Sequence, residues 1–264
     1  TGPLTTTQVL ETAVEILEEA VDAAGDNEEY ANFAKVSLGR ALLALGRFDD
    51  AAKAVADVPT SYVFNGEYGT GTTAKPNRLR VGSFSRTSAA RGVSDNEGGN
   101  GIDFVSANDP RLQLTRLGEN HTGHEFFAAT KYQQTNSPIT IASGLEARLI
   151  EAEAALHNND PSWLTILNDL RATQITPGME PLLDPGTADA RVDLLFRERA
   201  FWLFGTAHRL GDLRRLVDVY GRAPETVFPT GDYVIGGKYD VHTSLPFPIV
   251  GEDWAGKGVT GCID

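Results

Sequence analysis

The sequence predicts a mainly α protein: tetratricopeptide-like helical hairpins, interrupted by a long irregular insertion that carries loops and short strands. Two blocks with helical apolar spacing, 1–59 and 143–221, predict the hairpins, because residues three or four apart share one face of a helix. Between them, 60–142 is rich in Gly and Asn and loses that period. The closing stretch, 222–264, has turns and an extended Leu245-Pro246-Phe247-Pro248-Ile249 whose prolines exclude a helix. A chain of 264 residues with 41% hydrophobic side chains can bury one sizeable core, so the four parts are expected to form a single domain.

In the first block Thr7 is read as the N-cap, with Glu11 in the first turn. Leu10, Val14, Leu17, Val21 and Ala24 recur at helical spacing before Gly25 stops them. Tyr30, Phe33, Leu38, Ala41, Leu42 and Leu45 mark a second helix. Leu45-Gly46-Arg47-Phe48-Asp49-Asp50 then turns the chain into a short Ala-rich helix that Pro59 ends. One such hairpin cannot bury its apolar face alone, so other hairpins must cover it. Tyr62-Val63-Phe64 is strand-like. Helices resume at Ser143, whose spacing to Glu146 makes a capping box ahead of Leu145, Leu149, Ala152 and Leu156. Asp160-Pro161 opens a further helix in N-cap and N1 positions, carrying Trp163, Ile166, Leu167 and Leu170. After a Pro- and Gly-rich loop over 176–186, Thr187 caps a helix with Val192, Leu195, Phe196, Arg199, Trp202 and Leu203 on one side. Gly205 and Gly211 bracket its junction with a last helix over 212–220, which Gly221 ends. Trp163 and Trp202 fall on apolar faces and are expected in the core.

Composition removes several function classes. The 36 acidic against 23 basic side chains give a net charge of -13, which repels phosphate backbones and excludes general nucleic-acid binding. No stretch approaches the roughly 18 apolar residues of a membrane-spanning helix. Cys262 is the sole cysteine, so neither a disulfide framework nor a thiolate metal cluster forms within one chain. Thr1-Gly2-Pro3-Leu4 has no charged or apolar signal region, and a targeting segment is expected outside this sequence. Gly69-Thr70-Gly71-Thr72-Thr73 lacks the phosphate-loop lysine, and no G-x-S-x-G occurs. His121 and His124-Glu125 are interrupted by Gly123 and lack zincin order, so no zinc is expected. Asp95, Asn96, Glu97, Asn100 and Asp103 offer oxygens without EF-hand spacing; an acidic turn is the plainer reading and calcium the alternative. No other cofactor is expected.

Arg197-Glu198-Arg199-Ala200-Phe201-Trp202-Leu203-Phe204-Gly205, running into His208-Arg209-Leu210-Gly211-Asp212-Leu213-Arg214-Arg215, is similar to the signature E-R-x-x-E-L-x-x-E-G-x-R-x-x-D-L-x-R. Asp109-Pro110-Arg111, Arg148-Leu149-Ile150-Glu151-Ala152-Glu153-Ala154, Leu167-Asn168-Asp169-Leu170-Arg171 and Phe247-Pro248-Ile249 match further segments in the same order. By these pieces the chain resembles the SusD/RagB family of nutrient-capturing outer-membrane lipoproteins over most of its length. It departs at Trp202 and Phe204, where the family often has glutamates, and in lacking a counterpart of the signal peptide, acylated N-terminal cysteine and first helical repeats. The resemblance implies a SusD-like fold and a cell-surface role beside a SusC-type TonB-dependent transporter, capturing polysaccharide or peptide without catalysis. Membrane contact would run only through an N-terminal lipid anchor outside this sequence. The alternative is a structural or scaffolding cell-surface protein that assembles through its hairpins and loops. A glycoside-degrading enzyme would need two carboxylates at a catalytic separation.

Glu198, Arg199, Arg209, Asp212 and Arg215 read as structural ion pairs and caps rather than as an acid–base site. Tyr62, Phe64, Tyr68, Phe84, Tyr132 and Trp254 lie in loop-like segments, where rings can stack on sugar faces; the plainer reading has them pin the insertion to the helices. Lys75, Arg78, Arg80, Arg86 and Arg91 form a basic run without an acid, a local field for a carboxylated or sulfated ligand or an acidic partner surface, or else a solvated loop. Arg86 and Arg91 join the aromatics as candidate ligand contacts.

Overall fold

A computed structural model describes residues 4–70, 75–83, 92–120, 123–233 and 237–239. The elements follow in the order α1 (Thr6–Ala24), α2 (Glu28–Ala44), α3 (Phe48–Val55), β1 (Val63–Gly66), α4 (Arg78–Ser83), a 3-10 turn at Glu97–Gly99, β2 (Leu114–Glu119), β3 (Glu125–Ala129), β4 (Ile139–Ser143), α5 (Gly144–His157), α6 (Ser162–Thr173), α7 (Ala188–Trp202), α8 (Arg209–Asp218) and α9 (Pro224–Val227). The architecture is mainly helical, as expected, and its strands form small antiparallel pairs. Among the described residues no helix is long and apolar enough to cross a membrane.

Capping chemistry sets the helix starts. The cap of α1 is Thr5 rather than Thr7: Thr5 Oγ1 accepts from the Gln8 N–H at 3.2 Å, and the Gln8 side chain accepts from the Thr5 N–H at 3.0 Å. Gln8 completes that capping box, whereas Leu10 has no acceptor to offer a cap at Thr7. Asn27 caps α2, and Thr187 caps α7 by accepting from the Ala190 N–H. Helix α6 begins at Ser162, one residue later than expected, with Asp160 Oδ1 accepting from the Ser162 N–H. Helix α8 begins at Arg209, three residues early, and includes Gly211; the break lies at Gly205 and Ala207, both with positive φ. The single turn of α9, in a stretch expected to be extended, starts on Pro224, whose fixed φ suits the first position of a helix.

Helix α5 divides the core. One side of it, with Ala147, Ile150 and Ala154, packs against Val36, Leu42, Leu43, Ala51, Val55 and Val58 of α2, α3 and the turn beyond. The opposite side, with Leu149, Ala152 and Leu156, packs against Trp163, Leu167, Leu170, Leu195, Phe196 and Leu213. A helix buried on both sides has no polar stripe, and here even Glu146 and Glu153 are enclosed. Trp163 lies in the core, as expected; Trp202, also expected there, is half-buried because it ends α7 at the edge of the bundle.

The insertion is closed at its base. Strand β1 pairs with β4 in the register Val63↔Ser143 to Gly66↔Ile139, so the chain leaves and re-enters the helical scaffold at one place. Strands β2 and β3 form a hairpin within it, and Leu112 and Ala129 pack on Phe201 of α7.

Candidate ligand-binding site

A partly open pocket of about 240 Å³ lies where the base of the insertion meets the helical bundle. The β1–β4 pairing brings Thr60–Val63 beside Thr140, Ile141 and Ser143; the start of α5 adds Leu145 and Glu146; the end of α7 and the turn after it add Trp202, Leu203, Thr206 and His208. Lys131 arrives from the turn after β3. Its ammonium donates to the Phe204 carbonyl at 2.8 Å, and the adjacent Tyr132 hydroxyl donates to the Gly205 carbonyl at 2.8 Å. Two neighbouring residues thereby grip two neighbouring carbonyls. Lys131 is exposed at the pocket mouth, and partial desolvation of its ammonium pushes its pKa down to about 8. The Trp202 ring carries the Arg111 guanidinium at 4.9 Å, and its buried Nε1 finds no acceptor among the described residues.

Behind the pocket stands a network of buried charges. Arg40 binds Glu146 through Nε at 2.7 Å and Nη2 at 2.8 Å, and His208 Nε2 lies 2.8 Å from the same carboxylate. Burial alone would raise the Glu146 pKa; His208 and Arg40 outweigh it and bring it below the usual range. Deeper in, Arg215 spans both oxygens of Glu153 at 2.8 Å and reaches Asp212 at 2.9 Å, while Arg199 binds Asp212 at 2.8 and 3.0 Å. Against the rise that burial would cause, these two guanidiniums lower the Asp212 pKa to about 2. Glu198 is held by Arg111 and Arg171, and Arg111 also clasps Asp109. Four of the five signature residues, Glu198, Arg199, Asp212 and Arg215, are therefore engaged in buried ion pairs. Arg209 stands apart, lining a cavity of about 110 Å³ with Phe104 and Phe204. Desolvation lowers its pKa against the pull of Asp212 and Glu97.

The candidate ligand contacts separate. Tyr62 lines the pocket, and its hydroxyl donates to the Glu29 carbonyl at 2.7 Å. Phe64 stacks on Phe33 with ring centroids 4.4 Å apart and fastens β1 to α2. Tyr68 is half-buried near Tyr132. Tyr132, a candidate ligand contact, is only 6% exposed and its hydroxyl is committed to the turn after α7, so it follows the plainer of the two readings and pins the insertion to the helices instead of offering a free face to a sugar. Phe84, Arg86, Arg91 and Trp254 lie outside the described residues. Within the basic run, Arg80 Nε donates to the Gln133 carbonyl at 2.6 Å, and Asn77 fixes the start of α4 by accepting from Leu79 and Arg80 N–H groups.

The acidic turn is organised by protein donors. Asp95 Oδ1 accepts from the Val105 and Ser106 N–H groups, Asp103 pairs with Arg197, and Glu97 accepts from the Tyr239 hydroxyl. The Asn100 side chain ties this turn to Glu225, Phe228 and Thr230. Among the described residues no group of three or more His, Cys, Asp or Glu side chains is placed to hold a metal ion.

Residue patterns did not single out Lys131 and His208, and they assigned Glu146 to capping and Trp202 to the core. Ser143 does cap α5, but the Glu146 carboxylate turns to Arg40, a partner 106 residues away. No local spacing announces such a pair.

No protein-family model matches the sequence, and none of the curated proteins matches it. Among solved structures, the fold is similar to that of a SusD-like carbohydrate binding protein from Bacteroides vulgatus ATCC 8482, with a TM-score of 0.58 and 16% identity. The match covers 79% of this chain and 51% of that one, so this chain spans about half the length of its neighbour. At that identity the likeness is one of architecture: the helical hairpins packed around α5, with an insertion closed by β1 and β4, have the SusD-like fold that the signature segments implied.

Proposed function

We propose that this protein captures glycans at the cell surface without breaking them, as a binding subunit beside a SusC-type TonB-dependent transporter of the outer membrane. The observation that carries this reading is the SusD-like fold, shared with a protein described as carbohydrate binding. The pocket chemistry supports it, since an indole, a phenol, hydroxyls and an ammonium around an apolar floor suit a ring with an apolar face and polar edges. Capture rather than hydrolysis is supported by Glu146. A glycosidase acid needs a raised pKa to protonate a leaving group, and this carboxylate is held low by Arg40 and His208.

Isothermal titration against neutral and acidic polysaccharides and against peptides tests the proposal. Saturable heat with a glycan and no release of reducing ends is the expected result. Released reducing sugar would overturn non-catalytic capture, and silence across the glycans from folded protein would sink the reading. Trp202→Ala should weaken the glycan that binds by about tenfold or more, the size of a lost aromatic contact.

One observation favours the scaffolding alternative. Leu4, Val9 and Ile16 are exposed on α1 and just before it, while other α1 residues, Leu10, Ala13 and Leu17, line a cavity of about 510 Å³ shared with α2 and α8. Sedimentation decides it: self-association through α1 supports assembly, whereas a monomer at all concentrations speaks against it.

A further inference from the structure

The geometry points to a carboxylated sugar unit as the ligand of the pocket, with the Lys131 ammonium as its counter-charge. This rests on the capture reading and narrows it to a substrate class.

The two opposite charges lining the pocket, Lys131 and Glu146, do not pair with each other. Glu146 is satisfied by two hydrogen bonds from Arg40 and by the contact with His208. Lys131 has no carboxylate partner among the described residues; its ammonium donates to one carbonyl and lies 6.0 Å from the Tyr132 ring centroid. An ammonium has three donors, so two remain for an incoming acceptor. A carboxylate on a sugar ring supplies acceptor oxygens and a negative charge together, which a neutral sugar cannot.

Lys131 is also pre-positioned. Its own bond to Phe204 and the Tyr132 bond to Gly205 fix the ammonium relative to the end of α7 before any ligand arrives, which reduces the ordering cost of binding. At about 240 Å³ the pocket is smaller than the roughly 300–1,000 Å³ of sites for drug-sized ligands, so it suits one sugar unit rather than a stretch of chain. The net charge of -13 repels anions at long range, so preference for an acid has to come from a local cation such as this one.

The test compares oligogalacturonate and oligoglucuronate, each beside its methyl ester, so that charge changes while the sugar does not. Intact protein should bind at least one acid more tightly than its ester by about tenfold or more, the size of a charge-assisted hydrogen bond. In Lys131→Gln the acid-to-ester ratio should fall towards about one, and in Lys131→Arg a preference should persist; thermal melting checks that both variants fold. Equal binding of acid and ester by the parent protein, or a preference that survives in Lys131→Gln, overturns the inference while leaving glycan capture standing. Failure to bind any saccharide, charged or neutral, overturns both.

Discussion

Asp212 is buried, and Arg199 and Arg215 hold its charge, so that its pKa falls from 3.8 to about 2. A carboxylate with a lowered folded-state pKa contributes stability that is present above its unfolded value and lost as pH falls through the folded one. The contribution, about 2 kcal/mol, should therefore be whole at pH 7 and fade between about pH 4 and about pH 2. Denaturant midpoints across that range check it, and Asp212→Asn should flatten that part of the profile. Arg215→Met removes the guanidinium that neutralises Glu153 and helps neutralise Asp212, and it should cost about 3–5 kcal/mol in a urea melt. Gly144→Ala should unfold the base of the insertion, because a Cβ there would sit 1.8 Å from the Pro59 carbonyl oxygen. The resemblance placed Glu198, Arg199, Asp212 and Arg215 in one signature, but only the fold shows that Glu153, 62 residues from Arg215, completes the set.

Helix α2 packs closely enough on α3 and α5 that Gly39 has a packing role. A Cβ at that position would lie 2.6 Å from Val55 Cγ1 and 3.2 Å from Ile150 Cδ1. Alanine favours a helix over glycine by about 1 kcal/mol, but overpacking against a stiff β-branched valine costs about 1–3 kcal/mol, so Gly39→Ala should lower the melting temperature. At the other end of the scaffold, Thr187→Ala should cost about 1 kcal/mol by removing the acceptor for the Ala190 N–H. Caps and stops of this kind were legible where their partners lie within a turn, as at Ser143, Thr187 and Gly221. They misled where two threonines competed for one role, as at Thr5 and Thr7. The early start of α8 was hidden because Gly211 looks like a break, while the left-handed positions that make the break include Ala207, a residue that gives no warning.

For the molecule as a whole, the two halves of the core meet along α5 and at Tyr220, which packs against both. Its ring makes edge contacts with Phe48 on one side and Phe196 on the other. Such continuity predicts one cooperative transition, with tryptophan fluorescence and the helical circular dichroism signal changing together; separate midpoints would show that the halves unfold independently. The helical class and the succession of hairpins were legible from residue spacing alone. Periodicity, caps and turns are local, so neighbouring residues carry them. Only packing between elements brings Tyr62, Lys131, Glu146, Trp202 and His208 to one pocket and turns the Glu146 carboxylate to Arg40. Those relations arise when β1 meets β4 and α5 is buried between two layers, and residues so far apart along the chain acquire them only through the packing of whole elements.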